Sequence, residues 1–287
     1  MLHLTAPLDV PASLEPFRRW GDDLLDRWDG QRLLRAIPLP DGGWAVIRAA
    51  PVGTKERPAL DVTVEPPDAT KPALAALRTM FVVAPAAFQD LRATDPVIAE
   101  LDALYPGLRP VLQPDLFTAL VRSISAQQVN LRWAAETRRR LAEAFGVPLG
   151  VGGDQVYRLD PEILARTPVP AIRALQFTTA KAESIVAVAS ELAAGRMDPA
   201  ALWRLDDEAS IERLTALKGI GRWSAEWILA RTYGRPRVVA GDLGVRKAVA
   251  RAYLGQPIAS EAEVRTATAH WGEAGTVAQT LLLRTLV

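Results

Sequence analysis

The feature that most constrains the fold of this chain is a run of short amphipathic segments that begins near residue 86. Within each segment apolar residues recur at helical spacing, and Gly, Pro or Asp residues separate one segment from the next. Asp115, Asn130, Asp207 and Asp242 each precede such a segment and can cap it. The pattern predicts an all-α bundle over residues 86–287.

Residues 1–85 follow a different pattern. The spacing of apolar residues predicts a helix over residues 13–28, and two apolar runs that flank residues 40–43 predict a β-hairpin. Residues 60–66 alternate as a third strand, and residues 71–81 predict a closing helix. We therefore expect a mainly α fold, in which the helical bundle is preceded by a small α+β domain, an antiparallel sheet plus helices, that acts as a scaffold.

The composition excludes several kinds of chemistry. The 287-residue chain has no cysteine, so disulfides, thiolate metal sites and cysteine nucleophiles are ruled out. Its two histidines, His3 and His270, are far apart in sequence and form no metal-ligand pattern, so we expect no metal site. Carboxylates, basic side chains, hydroxyls or backbone groups must supply any chemistry.

The sequence also indicates where such a chain works. No segment approaches the roughly 18 uninterrupted apolar residues that a membrane-spanning helix requires. The first residues lack the basic and apolar regions of a secretory signal. We expect a cytoplasmic protein that is independent of membranes.

Charge is concentrated in one part of a nearly neutral chain, whose formal net charge is +1. Residues 214–251 contain two acidic side chains, Glu226 and Asp242, and eight basic ones. The basic residues are Lys218, Arg222, Arg231, Arg235, Arg237, Arg246, Lys247 and Arg251. This balance is typical of a surface that faces phosphate, although a solvated surface is the alternative.

A short Gly-Ile-Gly turn lies within this basic segment, between two helical patterns. Gly219 and Gly221 can each adopt positive φ, so the chain can reverse tightly while Ile220 enters the core. The second helix then starts with free backbone N–H groups and the positive end of its dipole, which suit a phosphate flanked by Lys218 and Arg222. A purely structural turn is the alternative, but the longer string over residues 217–225 favours contact with DNA.

Asp242 follows a Gly- and Pro-rich stretch and precedes the next helix, where it can act as the N-cap. Most aspartates at such positions only cap. A carboxylate held there is also kept ionised by N–H donors and the helix dipole. It can therefore stabilise the positive charge that develops on a sugar during glycosidic cleavage, and it can orient or deprotonate water.

The hairpin, the Gly/Pro-rich loop and the aspartate together resemble the helix-hairpin-helix DNA glycosylase superfamily. Within it, the chain is similar to the bacterial 3-methyladenine DNA glycosylase II family, the inducible alkylation-repair type. The resemblance covers nearly the whole chain, including the small N-terminal domain and the stretch over residues 106–129. It implies a hairpin at about residues 207–234 and a Gly/Pro-Asp loop at residues 234–242, with Asp242 as the catalytic carboxylate.

The resemblance also implies roles for residues outside the hairpin turn. In this family a loop side chain fills the gap that a flipped nucleotide leaves, and that wedge position falls on Gln128. Trp223 and Trp227 lie one helical turn apart and are implied at the base pocket, where an indole favours a cationic base. Leu283 stands by spacing where a further pocket tryptophan is expected, so the pocket is expected to be more open.

Without the resemblance, these residues have simpler interpretations. Two tryptophans on a hairpin helix are typical of core packing, and Gln127 and Gln128 are typical of a solvated turn between helices. Bifunctional relatives carry a Schiff-base lysine at the position of Trp223, so a monofunctional enzyme is implied.

The expected function is base excision repair of alkylated double-stranded DNA by a monomer associated with the nucleoid. Bases of the 3-methyladenine and 7-methylguanine type would be hydrolysed off to leave an abasic site. No cofactor is expected, and a monovalent cation at the hairpin remains open. The alternatives are a non-catalytic helix-hairpin-helix DNA-binding protein and a glycosylase for deaminated or mismatched bases.

Overall fold

The computed structural model describes residues 1–287 and has an antiparallel sheet at its N-terminal end. The sheet has five strands in the order β1-β5-β4-β3-β2. The strands are β1 (Leu2–His3), β2 (Asp26–Trp28), β3 (Leu33–Pro38), β4 (Trp44–Pro51) and β5 (Ala59–Glu65). Strands β3 and β4 form the predicted hairpin, and Ala36 pairs with Val46.

Three helices accompany this sheet: α1 (Val10–Leu14), α2 (Pro16–Arg19) and α3 (Thr70–Thr79). The predicted third strand and the closing helix are confirmed as β5 and α3. The helix predicted over residues 13–28 is wrong, because Pro16 starts a new helix and Gly21 has a φ of +116°. Beyond Gly21 the chain turns at Asp22 and Asp23 and enters β2.

The remainder of the chain is predominantly helical, as predicted. Its helices are α4 (Ala87–Thr94), α5 (Pro96–Leu104), α6 (Leu116–Ala126), α7 (Leu131–Phe145), α8 (Pro161–Arg166), α9 (Val169–Ala174), α10 (Thr179–Ala193), α11 (Pro199–Arg204), α12 (Asp207–Thr215), α13 (Arg222–Thr232), α14 (Leu243–Val249), α15 (Glu261–Ala267) and α16 (Gly275–Arg284). A π-helical turn over Ala250–Leu254 continues α14. Asp115, Asn130 and Asp242 cap helices as predicted, whereas Asp206, rather than Asp207, caps α12.

One element of this helical region was not predicted. Strands β6 (Val147–Val151) and β7 (Asp154–Arg158) form a hairpin between α7 and α8. Val151 and Val156 pack against β3 and β4, and the Tyr157 N–H donates to the Leu24 carbonyl. The hairpin is therefore stabilised by apolar contact with the N-terminal sheet, which the local sequence does not reveal.

Two helix pairs position the site that is described below. Helices α12 and α13 form the hairpin, and α13 packs against α6, which also contacts α10. The buried residues of these helices belong to one apolar core that includes Ile220. A second core joins α14 to α16. None of the helices combines the length and the hydropathy that a membrane span needs.

Candidate functional site

The turn of the hairpin is built on Gly219. Its φ is +81°, and a Cβ at this position would collide with the Ser184 side chain of α10. Ile220 is buried in the apolar core as predicted. Gly221 differs from Gly219, because it caps α13 with a φ of −94° and a Cβ there would meet open space. The first N–H groups of α13 are therefore open to an approaching anion on the side of Gly221.

The two basic side chains beside this turn are exposed, but each contacts a carboxylate. The Lys218 Nζ lies 2.9 Å from the Glu183 Oε2, and Lys218 is 59% exposed. The Arg222 guanidinium donates to Glu208 and Glu226 over 3.2 Å and 3.1 Å, and Arg222 is 50% exposed. Contacts of Lys218, Gly219, Gly221 and Arg222 with DNA phosphate stay predictions.

Asp242 is the N-cap of α14, and its side chain is partly exposed. Its Oδ1 accepts a hydrogen bond of 3.0 Å from the Val245 N–H, and its Oδ2 accepts one of 3.3 Å from the Trp223 Nε1. Burial lowers the pKa of the nearby Arg231 guanidinium, and the charge of Asp242 opposes that shift. The carboxylate is thus held by two donors, close to a cation, and is not turned into the core.

Trp223 and Leu283 lie close to this carboxylate. The Trp223 Cβ borders Gly241, the residue before Asp242. A Cβ at Gly244 would lie 3.0 Å from the Asp242 Oδ1 and 3.1 Å from the Leu283 Cδ2. Trp227 is half-buried and packs against the apolar core of the hairpin helices. The pocket roles of Trp223, Trp227 and Leu283 stay predictions.

The loop between α6 and α7 lies against the hairpin. Gln128 is exposed and has a φ of +54°. The preceding Gln127 Nε2 donates to the Gly219 carbonyl over 2.9 Å and to the Ser224 Oγ over 3.4 Å. The wedge role of Gln128 stays a prediction. No sequence pattern indicated that Gln127 ties this loop to the hairpin turn.

The same loop is held from α10. The Lys181 Nζ donates to the Ser125 carbonyl over 2.9 Å, at the end of α6. Burial lowers the pKa of the Lys181 ammonium. This contact was also missed, because Lys181 and Ser125 are 56 positions apart and only the packing of α10 on α6 brings them together.

The Gly/Pro-rich loop that carries Asp242 is fixed by ion pairs. Arg235 and Arg237 contact the Asp207 carboxylate over 2.7 Å and 3.0 Å, and Arg237 also contacts Glu208 over 2.8 Å. The Arg237 and Val239 N–H groups donate to side chains of α16. Arg235 and Arg237 are only 14% and 16% exposed, so they contribute little to the basic surface expected over residues 214–251.

Other parts of the chain offer less chemistry. No three His, Cys, Asp or Glu side chains lie together as a metal site would require. A cavity of about 130 Å³ lies beside residues 4–8 and 81–84, and one of about 160 Å³ lies beside Arg35 and Thr232. Neither cavity includes Asp242, so the site is identified by its chemistry rather than by cavity size.

A helix-hairpin-helix followed by a Gly/Pro-rich loop and a capping aspartate defines a class of DNA-repair folds. Residues 121–274 match the family described as "HhH-GPD superfamily base excision DNA repair protein". This match spans more than half of the chain, and the chain belongs to that family. It contains the loop between α6 and α7, both hairpin helices and Asp242.

Curated relatives match part of the chain. It is 29% identical over 145 residues to a DNA-3-methyladenine glycosylase of Bacillus subtilis. This alignment covers 50% of the present chain and 48% of the relative. It is 30% identical over 145 residues to DNA-3-methyladenine glycosylase 2 of Escherichia coli, with 50% and 51% covered. The chain thus spans about half the length of these relatives.

Solved structures match over nearly the whole chain. A 3-methyladenine DNA glycosylase from Archaeoglobus fulgidus has a TM-score of 0.84 at 23% identity and covers 98% of this chain and 97% of its own. An 8-oxoguanine glycosylase/lyase from Clostridium acetobutylicum has a TM-score of 0.76 at 16% identity, with 98% and 92% covered. At these identities the likeness establishes the fold, a helical region behind an N-terminal α+β domain.

Proposed function

We propose that this chain is a monofunctional DNA N-glycosylase that removes alkylated bases from double-stranded DNA. The observation that carries the proposal is the Asp242 carboxylate, held by the Val245 N–H and the Trp223 indole beside an open hairpin turn. Membership of the base excision repair family and the 3-methyladenine glycosylases among its relatives support the same activity.

The chemistry follows from the charge that moves during the reaction. The bond between C1′ and the base nitrogen breaks, and its electron pair neutralises a base that alkylation had made cationic. Positive charge develops on the sugar, and a fixed anion such as Asp242 stabilises that charge. A water oxygen then bonds to C1′, and the carboxylate orients this water and accepts its proton.

The indole of Trp223 beside Asp242 supports a monofunctional enzyme. Trp223 donates its indole N–H to the carboxylate, and an indole cannot form a Schiff base with the sugar. The product would then be an intact strand with an abasic site. Trapping of the enzyme on DNA by borohydride would contradict this part of the proposal.

The proposal also assigns roles to the remaining site residues. Trp223, Trp227 and Leu283 would form the base pocket, whose indoles favour a cationic base. Gln128 would fill the gap in the duplex, since its loop adjoins the hairpin through Gln127. Lys218, Arg222 and the N–H groups near Gly219 and Gly221 would hold the backbone phosphates.

The chain would act as a monomer on DNA without a resident metal or organic cofactor. A monovalent cation at the hairpin is compatible with the turn, because the Gly219 carbonyl, which accepts from Gln127, keeps a second lone pair.

The proposal is tested by replacing Asp242 with Asn, which keeps the shape of the cap but removes the charge. We expect the single-turnover release of 3-methyladenine from methylated duplex DNA to fall by at least about 100-fold. The affinity for the same DNA should change by less than about threefold, because Asp242 holds no phosphate.

A matched control is the Asp206→Asn variant. Asp206 caps α12 by accepting from the Ala209 N–H over 2.8 Å, so it shares the capping role of Asp242 but lies at the first hairpin helix rather than at α14. Its release rate should stay near that of the wild type. Full release by the Asp242 variant would overturn the catalytic role of Asp242. DNA binding by the wild type without release of any alkylated base would overturn the glycosylase activity and favour a non-catalytic DNA-binding protein.

A further inference from the structure

A buried carboxylate on the second hairpin helix has no role in the chemistry described above. Glu226 lies on α13, and its side chain is 1% exposed. Its Oε1 accepts from the Arg265 Nη2 over 2.8 Å, from the Arg222 Nε over 3.1 Å and from the Arg237 Nη2 over 3.5 Å. A single carboxylate oxygen thus accepts hydrogen bonds from three guanidinium groups.

These three arginines come from different parts of the site. Arg222 is the first residue of α13, beside the hairpin turn. Arg237 lies in the loop that ends at Asp242, and Arg265 lies on α15. Glu226 therefore joins the predicted phosphate contact, the loop of the catalytic carboxylate and a helix that follows the carboxylate in sequence.

The same helix contacts the loop a second time. Trp223 lies three residues before Glu226 on α13 and donates to the Asp242 Oδ2. Glu226 and Trp223 thus hold two points of the loop, Arg237 in its middle and Asp242 at its end. Loss of either contact would allow the Asp242 carboxylate to move relative to the hairpin.

Because Glu226 is buried, its ion pairs restrict where its arginine partners can lie. A carboxylate taken out of water is costly unless charged donors surround it, so this position enforces one arrangement of its partners. Glu208 contacts Arg222 and Arg237 as well, but its side chain is 66% exposed. Solvent screens such an exposed pair, and it fixes geometry less strongly.

We propose that Glu226 is a positioning residue that sets the Asp242 loop relative to the phosphate contact of the hairpin. This inference rests on the proposed glycosylase function. It predicts that loss of the Glu226 charge slows base release more than it weakens DNA binding, since a misplaced carboxylate harms the reaction even when the grip on DNA persists.

The test replaces Glu226 with Gln, which keeps the size but not the charge. We expect the single-turnover release of 3-methyladenine to fall by about 10–100-fold, while the DNA dissociation constant changes by less than about threefold. Independently of activity, hydrogen exchange should quicken by about tenfold or more at the amides of residues 235–242. The hydrogen-bonded N–H groups in this stretch are those of Arg235, Arg237, Val239, Ala240 and Asp242. They donate to Leu229, Thr276, Gln279, Val238 and Val239, respectively, in the intact loop.

Two variants serve as controls. Glu208→Gln removes the exposed carboxylate that contacts the same two arginines, and it should lower the release rate by less than about threefold. The double variant Glu226→Gln with Arg265→Gln removes one charge of each sign. It provides a balanced protein if the single variant melts early, and it should show the same slow release and fast exchange.

Each outcome decides the question. Unchanged exchange in residues 235–242, or fast exchange with an unchanged release rate, would overturn the positioning role. A proportional loss of binding and release would also overturn it, as would failure of both variants to fold. If the wild type releases no alkylated base, the glycosylase proposal fails, whereas the exchange measurement still reports whether Glu226 holds the loop.

Discussion

Two ionic clusters in this molecule use the same residue types under opposite conditions. The seam cluster joins the sheet region to α6 and α7 and comprises Asp23, Asp26, Arg35, Arg122 and Arg138, none of which is more than 11% exposed. The hairpin cluster surrounds Glu226, which is 1% exposed, but its partners Arg222 and Arg265 are 50% and 41% exposed. The first is closed to solvent, and the second opens towards it.

We infer from this difference that the seam cluster stabilises the fold, whereas the arginines of the hairpin cluster are accessible to a ligand. In the seam cluster every charge is committed to a partner inside the protein, so removal of one carboxylate leaves a buried cation unpaired. In the hairpin cluster an arginine can exchange a screened carboxylate for a phosphate at little cost. The arginines of the two clusters are therefore not interchangeable, and the exposure of each guanidinium group distinguishes a stabilising role from a binding role.

The largest effect should come from breaking the seam with Asp23→Asn. Asp23 accepts from Arg138 over 2.8 Å and lies 3.1 Å from Arg122. We expect the free energy of unfolding to fall by about 3–5 kcal/mol, measured by urea denaturation. The release rate of the folded protein should change by less than about threefold, because no seam residue contacts Asp242.

The pH dependence of this loss follows from the charge of Asp23. Burial alone would raise the pKa of its carboxyl, but Arg122 and Arg138 outweigh burial and hold the pKa below its usual range. The stabilisation is therefore complete above the unfolded-state pKa of about 4 and is lost as the pH falls through the folded-state pKa. A stability gap between wild type and variant that grows towards acid would contradict this account.

An intermediate effect should distinguish the two hairpin glycines. Gly219→Ala forces a Cβ into Ser184 at positive φ, and we expect it to lower the free energy of unfolding by about 1–3 kcal/mol. Gly221→Ala points a methyl group into open space at the cap of α13, and it should cost less than about 1 kcal/mol.

Binding should separate these two variants from ordinary core mutations. Each variant should lose the same factor of DNA affinity whatever the DNA sequence, because a phosphate contact carries no base information. Fluorescence anisotropy with several unrelated duplexes would measure this. A loss that depends on the DNA sequence would count against a phosphate contact at the hairpin.

The smallest effect should come from the exposed pair beside the turn. Glu183→Gln frees Lys218, whose Nζ lies 2.9 Å from the Glu183 carboxylate. We expect DNA affinity to rise by about twofold at low salt and the gain to vanish at high salt, since this exposed pair is worth little and is screened. Weaker binding by this variant would mean that Glu183 orients Lys218 rather than competing with phosphate.

Sequence patterns predicted the parts of the fold that local physics controls. The β3–β4 hairpin, the closing helix α3 and the caps at Asp115, Asn130 and Asp242 depend on turn residues and side chains within a few positions. The prediction of a helix over residues 13–28 was wrong. The apolar spacing favours a helix, but Pro16 starts a new helix and Gly21 adopts positive φ. The β6–β7 hairpin was missed because its stability comes from the distant sheet.

The site divides in the same way. Asp242, Trp223 and the Gly219–Gly221 turn could be proposed as one site because they lie close together in one stretch of sequence. The roles of Gln127, Lys181 and Glu226 could not, because all of their partners except Arg222 lie between 11 and 97 positions away. Arg235 and Arg237 were assigned to a basic surface because composition cannot tell a solvated arginine from one that is paired inside the fold.

The sequence by itself determined the succession of short helices, the turn at Gly219 and the cap at Asp242, since backbone geometry and capping act over a few residues. Only the tertiary structure decided which charges are buried together and which remain exposed to solvent. Desolvation and ion pairing depend on everything that packs around a side chain, and for Glu226 those neighbours come from the hairpin turn, the Asp242 loop and α15.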